Sequence, residues 1–192
     1  MTGRRAVLLD RDGTLTEPRH HPRSPAELVL QAGVAAPLRR LQAAGIALIV
    51  VTNQSAVARG HLTEQDLTGM HDHLRAALCS LGVTLDGIYS CPHHPDGVIP
   101  KLALPCTCRK PEPGMLLRAA RDLSLDLGRS WMVGDFATDV EAGRRAGCRT
   151  AWVGSHAVHE AAAHRGGTVP TLRAQTTAEA LRHIELSLRE AP

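Results

Sequence analysis

Aromatic side chains are nearly missing from these 192 residues: Tyr89, Phe136 and the pair Trp131 and Trp152 are the whole set. A close-packed core must then be built from Leu, Val, Ala and Ile, and no row of rings is on hand to stack nucleic-acid bases. Charge of one sign is lacking too. The net charge is only +3 and the basic residues are scattered, so the electrostatic footprint of a nucleic-acid binder is missing. Long apolar runs are absent as well: the greasiest stretch, IALIVV at 46–51, falls far short of the roughly 20 residues that cross a bilayer. MTGRR leads into AVLLD, too brief an apolar segment for a secretory signal. The expectation is a soluble, cytoplasmic chain, without nucleic acid or membrane among its partners.

What is present suits one domain spanning residues 1–192, long enough to bury a core. With 43% apolar and 21% charged residues, no segment is biased toward disorder. Short apolar runs alternate with amphipathic stretches. AVLLD (6–10), IALIVVT (46–52), DGIYSCP (86–92), SWMVGD (130–135) and RTAWVG (149–154) read as strands. Residues 34–45, 63–82, 113–125, 138–147 and 176–189 carry helical spacing. Thr63 with Asp66 forms a capping-box variant, and Pro113 sits at a first helical turn. Residues 155–170 give no clear period and read as loop with a short helix at most. This alternation predicts an α/β fold, a Rossmann-like three-layer sandwich around a central parallel sheet. Chemistry should then gather at the carboxyl ends of the strands.

It does. The first strand ends in LLDRDGTLT, with Asp10 and Asp12 two apart and Gly13 permitting a sharp turn. Two carboxylates on one side repel unless a cation or proton compensates. The second strand ends in VTNQS, offering Thr52, Ser55 and the intervening amides, and the fourth ends in VGDFATD, with Asp135 and Asp139. Lys110 stands before a helix. A carboxylate nucleophile, a second acid, a hard cation held by carboxylates, and a hydroxyl and lysine for the equatorial oxygens are the requirements of phosphoryl transfer through aspartate.

Three of the five cysteines crowd into CPHHPDGVIPKLALPCTCRKP (91–111). Cys91, His93, Cys106 and Cys108 make a C-x-H-x12-C-x-C pattern that suits tetrahedral Zn²⁺, and four protein ligands leave no position open, so the site reads as structural. His94 is the competing ligand to His93. Cys79 and Cys148 read as ordinary buried thiols. A nucleic-acid-binding zinc ribbon would show C-x2-C knuckles, and this loop has none.

DRDGT, VTNQS, Lys110 and GDFATD, in that order over residues 10–139, resemble the four motifs of the haloacid dehalogenase superfamily. The resemblance implies a capless fold with an inserted zinc loop (91–108). It makes Asp10 the nucleophile and Asp12 the general acid/base. Mg²⁺ would be held by Asp10, the backbone carbonyl of Asp12 and Asp135, with Asp139 behind them. Thr52 and Lys110 would grip the phosphoryl group. Asn53, Gln54, Ser55 and Arg109 would meet the substrate, a small phosphorylated sugar, in a monomeric enzyme. TNQSAVARG and the long Cys/His interval resemble the branch holding the heptose 1,7-bisphosphate 7-phosphatases more than its histidinol-phosphate phosphatases. Two departures touch specificity. Phe136 follows Asp135 where that branch commonly has a cation, and EPRHHPRSP, with Arg19, His20, His21 and Arg23, replaces the usual flap. From a different class, the alternative is a catalytically idle scaffold.

Overall fold

The computed structural model describes residues 3–19, 22–154 and 169–190. Its centre is β1 (Ala6–Leu9), four apolar residues with no exposure at all. Around it lie β2 (Ala47–Asn53), β3 (Gly87–Cys91), β4 (Trp131–Gly134), β5 (Arg149–Val153) and β6 (Leu172–Ala174), all parallel, in the order β3-β2-β1-β4-β5-β6. Alternate side chains of the central strands enter two separate cores. Val7, Leu9, Leu48, Val50 and Val133 meet α1 (Ala35–Ala43), α3 (Glu64–Ser80) and α6 (Thr177–Glu190) through Leu38, Leu74 and Leu181. Leu8, Ile49, Val51 and Met132 meet α4 (Gly114–Leu123) and α5 (Ala137–Arg145) through Leu116, Ala119 and Ala142. Continuous apolar strands are therefore required here, since both faces of the sheet are covered.

The scarcity of rings is met as expected. The largest side chains with under 2% exposure are leucines, isoleucines and Met70, with one exception, Arg11. On α3 the buried positions are Leu67, Met70, Leu74 and Leu78, one helical face. A leucine buried as fully as Leu74 is worth about 2–5 kcal/mol against alanine. Thr63 and Asp66 close the full capping box, Asp66 N donating to Thr63 Oγ1 at 3.0 Å and Thr63 N to Asp66 Oδ2 at 2.9 Å.

Three features depart from the sequence reading. β6 is a sixth, edge strand that escaped notice because it is three residues long and buries only Ala174. A single turn, α2 (Ser55–Ala58), follows β2 directly. Pro113 occupies the N-cap position, and α4 starts one residue later. Residues 155–168, most of the stretch read as loop, lie outside the described residues, as do His20 and His21. Among the described residues, no helix is long and apolar enough to cross a membrane.

The strand order reverses at β1: the chain builds outward to β2 and β3, then returns to place β4 on the other side. Crevices open at the carboxyl end of such a switch point. Asp10 follows β1 there, its amide donating to Val133 O of β4 at 2.9 Å, and Asp135 follows β4.

Candidate active site

The loop leaving β1 passes over Asp135, and two glycines make the approach feasible. Gly13 has φ +86°, and a Cβ there would run into the Asp135 carboxylate. A Cβ on Gly134 would collide with the side chain of Asp139, which tucks beneath the end of β4. Thr14 Oγ1 then donates to Asp135 Oδ1 at 3.2 Å, and the Phe136 amide to Asp139 Oδ2 at 3.0 Å. Three carboxylates, Asp10, Asp135 and Asp139, converge so that one oxygen from each lies within 4.8 Å of the others.

Lys110 is the cation among them. Its Nζ stands 2.6 Å from Asp10 Oδ1 and 2.6 Å from Asp139 Oδ1, and it donates to Val51 O at 2.8 Å. The lysine is held by Asn53 in a reciprocal pair: Lys110 N donates to Asn53 Oδ1 at 3.0 Å, and Asn53 Nδ2 to Lys110 O at 3.1 Å. One lysine does not balance three acids. Burial pushes Asp10 up to about 7, with Lys110 pulling down and Asp139 and Asp12 pushing further up. Burial also lifts Asp135 to about 7, helped by the charges of Asp10 and Asp139. Burial alone would depress Lys110, but Asp10 and Asp139 hold it above its ordinary value. A compact set of buried carboxylate oxygens with uncompensated repulsion fits a hard divalent cation.

Asp12 faces the same cavity, yet its carboxylate has other partners. Arg11 Nε and Nη2 donate to its two oxygens at 2.9 and 2.8 Å, and Gln54 Nε2 donates to Oδ2 at 2.9 Å. Gln54 Nε2 also lies 2.8 Å from Thr52 Oγ1. The side chain of Asp12 thus stands apart from the three-acid group, while Asp139, read from the sequence as an outlying acid, stands within it. The cause is local. The chain leaves the strand after Leu9 and turns, Leu15 N and Thr16 N donating to Arg11 O at 3.0 and 2.8 Å, so strand alternation no longer sets where Asp12 points.

The cavity measures about 710 Å³ and its lining includes Asp10, Asp12, Thr52, Asn53, Arg109, Lys110, Asp135 and Asp139, together with Pro18, Arg19 and Phe136. Thr52 is buried and Ser55 opens α2. Gln54 is also buried, bonded to Asp12 and Thr52. Phe136 is 66% exposed. Arg19 reaches the cavity lining; Arg23 is not part of it.

At the end of β3 a second cluster forms. The sulfurs of Cys91, Cys106 and Cys108 lie 3.1–3.5 Å apart, and His93 Nδ1 is 3.3 Å from Cys108 Sγ and 3.6 Å from Cys91 Sγ. These four residues could hold a metal ion. His94 stands aside, its ring 3.2 Å from Arg59 Nη2. Arg109 Nη1 donates to His93 O at 3.3 Å. Cys148 is buried, but Cys79 is exposed, correcting its reading as a buried thiol: it follows Leu78 on α3 and falls off that helix's buried face. Sequence reasoning missed Arg11 and Thr14. Both lie within DRDGT, but the pattern gives neither a role there: an arginine between two aspartates in a strand pattern reads as pointing away, and Thr14 falls beyond the strand.

Comparison with known proteins agrees with this architecture. Residues 107–182 match the HAD-hydrolase-like family. The chain is 43% identical over 137 residues to the D-glycero-beta-D-manno-heptose-1,7-bisphosphate 7-phosphatase of Yersinia pestis, covering 71% of this chain and 73% of that protein. It is 42% identical to the protein of the same name from Escherichia coli strain K12, covering 71% and 72%. Among solved structures, a D,D-heptose 1,7-bisphosphate phosphatase from B. bronchiseptica, complexed with magnesium and phosphate, superposes with TM-score 0.82 at 32% identity, covering 97% of this chain and 99% of that one. A HAD-like phosphatase structure from Mesorhizobium loti gives 0.83 at 34%, covering 98% and 88%. With a parallel sheet of this order, acids at its switch point and relatives this similar over most of their length, the chain belongs to the haloacid dehalogenase superfamily, as a phosphatase of the branch that holds the heptose bisphosphate phosphatases.

Proposed function

We propose that this phosphatase removes the 7-phosphate of D-glycero-D-manno-heptose 1,7-bisphosphate through an aspartyl-phosphate on Asp10, as a single-domain cytoplasmic monomer. The observation that carries the chemistry is Lys110, buried between Asp10 and Asp139 beside Asp135 at the floor of a cavity. The substrate rests on the named relatives and on the magnesium and phosphate bound by one of them.

Asp10 attacks phosphorus with one carboxylate oxygen, forming the acyl phosphate, and the sugar oxygen departs with a proton from Asp12. Asp12 then takes a proton from the water that attacks the same phosphorus, which returns Asp10 and frees phosphate. Lys110 and Thr52 stabilise charge on the non-bridging oxygens. Arg109 and Asn53, both in the cavity wall, meet the rest of the substrate; Ser55 opens α2 and is not part of that lining. Asp10, Asp135 and the Asp12 backbone carbonyl would hold Mg²⁺, with Asp139 adjoining. When bound, that ion supplies charge that keeps the buried acids ionised and offsets their repulsion of the phosphate dianion. Cys91, His93, Cys106 and Cys108 would hold a structural Zn²⁺ that shapes the loop ending in Arg109 and Lys110.

The test is phosphate release from both anomers of heptose 1,7-bisphosphate, from histidinol phosphate and from simple hexose phosphates, with and without Mg²⁺. The heptose should be turned over with the highest kcat/KM, and Asp10→Asn should lose nearly all of it. Preference for histidinol phosphate would move the substrate, and release by Asp10→Asn at wild-type rates would remove the covalent route.

A further inference from the structure

Arg11 is the largest fully buried side chain in the described protein, and it is a charge. A guanidinium is not taken out of water unless something inside compensates it. Two of its nitrogens, Nε and Nη2, are given to the two oxygens of Asp12 at 2.9 and 2.8 Å. The third, Nη1, is buried with no hydrogen-bond partner among the described residues. Every hydrogen bond made by this side chain is therefore spent on Asp12.

The geometry is unusual for neighbours in sequence, which point apart on an extended chain. It exists because the backbone of Arg11 is pinned at a turn, its carbonyl accepting from Leu15 N, Thr16 N and Thr16 Oγ1 at 3.0, 2.8 and 3.0 Å. His71 of α3 lies near the guanidinium, half-buried, with its Nε2 likewise unpartnered. Burial, then the charges of Arg11 and Arg75, push His71 down to about 4, so it is a neutral neighbour at ordinary pH. With Gln54 on Oδ2, three bonds fix the plane of the Asp12 carboxylate at the cavity.

We propose that Arg11 is a positioning residue. Its two-bond clamp holds Asp12 in the one orientation from which it can protonate the leaving oxygen. The inference rests on the reading of Asp12 as acid/base. Its consequence is selective at the first step: an alkyl phosphate, whose alkoxide cannot leave unprotonated, depends on Arg11 to form the aspartyl-phosphate, whereas 4-nitrophenyl phosphate, whose phenolate leaves without a proton, does not; hydrolysis of that intermediate, where Asp12 is the base, is common to both.

The experiment measures kcat and KM for heptose 1,7-bisphosphate and 4-nitrophenyl phosphate in wild type, Arg11→Lys and Arg11→Met, each also combined with Asp12→Asn, with thermal unfolding alongside. Lysine keeps the charge and most of the bulk but cannot make the paired bonds, so Arg11→Lys remains informative where Arg11→Met fails to fold. We expect Arg11→Lys to lower kcat/KM for the alkyl ester about 10–100-fold, a share of the 10²–10⁴ that a general acid provides. The fall should lie in kcat. The aryl ester should lose less than about threefold in kcat/KM, which covers only the steps up to the aspartyl-phosphate, and in the Asp12→Asn background the replacement should cost nothing further. Equal losses of kcat/KM on both esters, wild-type kcat/KM on both, or a full additional loss in Asp12→Asn would overturn the positioning role. Alkyl-ester turnover intact in Asp12→Asn alone would overturn the acid assignment, which is a separate failure.

Discussion

Replacing Lys110 by methionine would remove a charge while keeping nearly the same volume, so its effect is electrical rather than steric. The ammonium is 2.6 Å from an oxygen of Asp10 and 2.6 Å from one of Asp139, and Val51 O takes its remaining donor. At an effective dielectric of 20 each pair is worth about 6 kcal/mol of attraction, most of it offset by the cost of burying the charges. Breaking a buried pair from one side has a net cost of about 3–5 kcal/mol. For a chain of this size that is a fall in Tm of about 6–20 °C, at pH 8 and without divalent cation. At pH 5 the loss should shrink, since Asp10, raised to about 7, is then largely protonated and no longer needs the ammonium. Turnover should drop by at least about 10²-fold, the usual consequence of losing one donor to a charge-bearing oxygen. Scanning fluorimetry at both pH values, paired with phosphate release, checks this. A Tm at pH 8 within about 2 °C of wild type would refute the charge balance drawn for the site.

Without divalent cation, stability should fall as pH rises from about 4 to about 7, because the folded chain holds protons on Asp10 and Asp135 that the unfolded chain has released. Mg²⁺ should restore stability at pH 8 and do little at pH 5; melts with EDTA or Mg²⁺ across that range decide it, and a flat EDTA profile would count against the buried acids. The Cys/His cluster predicts about one tightly held zinc per chain by elemental analysis. Cys108→Ser should lose that metal and raise KM, since Arg109 and Lys110 follow immediately; a zinc-free, fully active protein would contradict the loop's role. Gly13→Ala, at φ +86° and against Asp135, should cost about 1–3 kcal/mol and weaken Mg²⁺ binding, measured by unfolding and titration; unchanged Mg²⁺ affinity would mean the loop approaches Asp135 less tightly than drawn.

The sheet was legible because its strands are buried on both faces and so are written as unbroken apolar runs. β6 was not, since an edge strand with one buried residue has no pattern to read. Acids at strand ends gave away Asp10 and Asp135, whose positions follow from the sheet alone. Asp12 and Arg11 lie one step beyond, where a turn rather than a strand decides direction, and there alternation misleads. Gln54 illustrates the same limit: its residue type suits a substrate contact, while its burial and bonds assign it to Asp12 and Thr52. His93 and His94 are not separable by sequence, because both are within reach of the thiols there and only the His93 ring turns toward them in space.

The double bond pattern between Asn53 and the main chain of Lys110 imitates one further rung of a sheet ladder, built by an amide side chain instead of a strand. Lys110 is thereby registered to β2 and rides with the sheet, although it is reached through the long Cys/His segment. The reciprocal pair is a second hold on Lys110, beside the peptide bond that joins it to the Cys/His segment. The ammonium thus shares one frame with the Asp10 carboxylate that it faces.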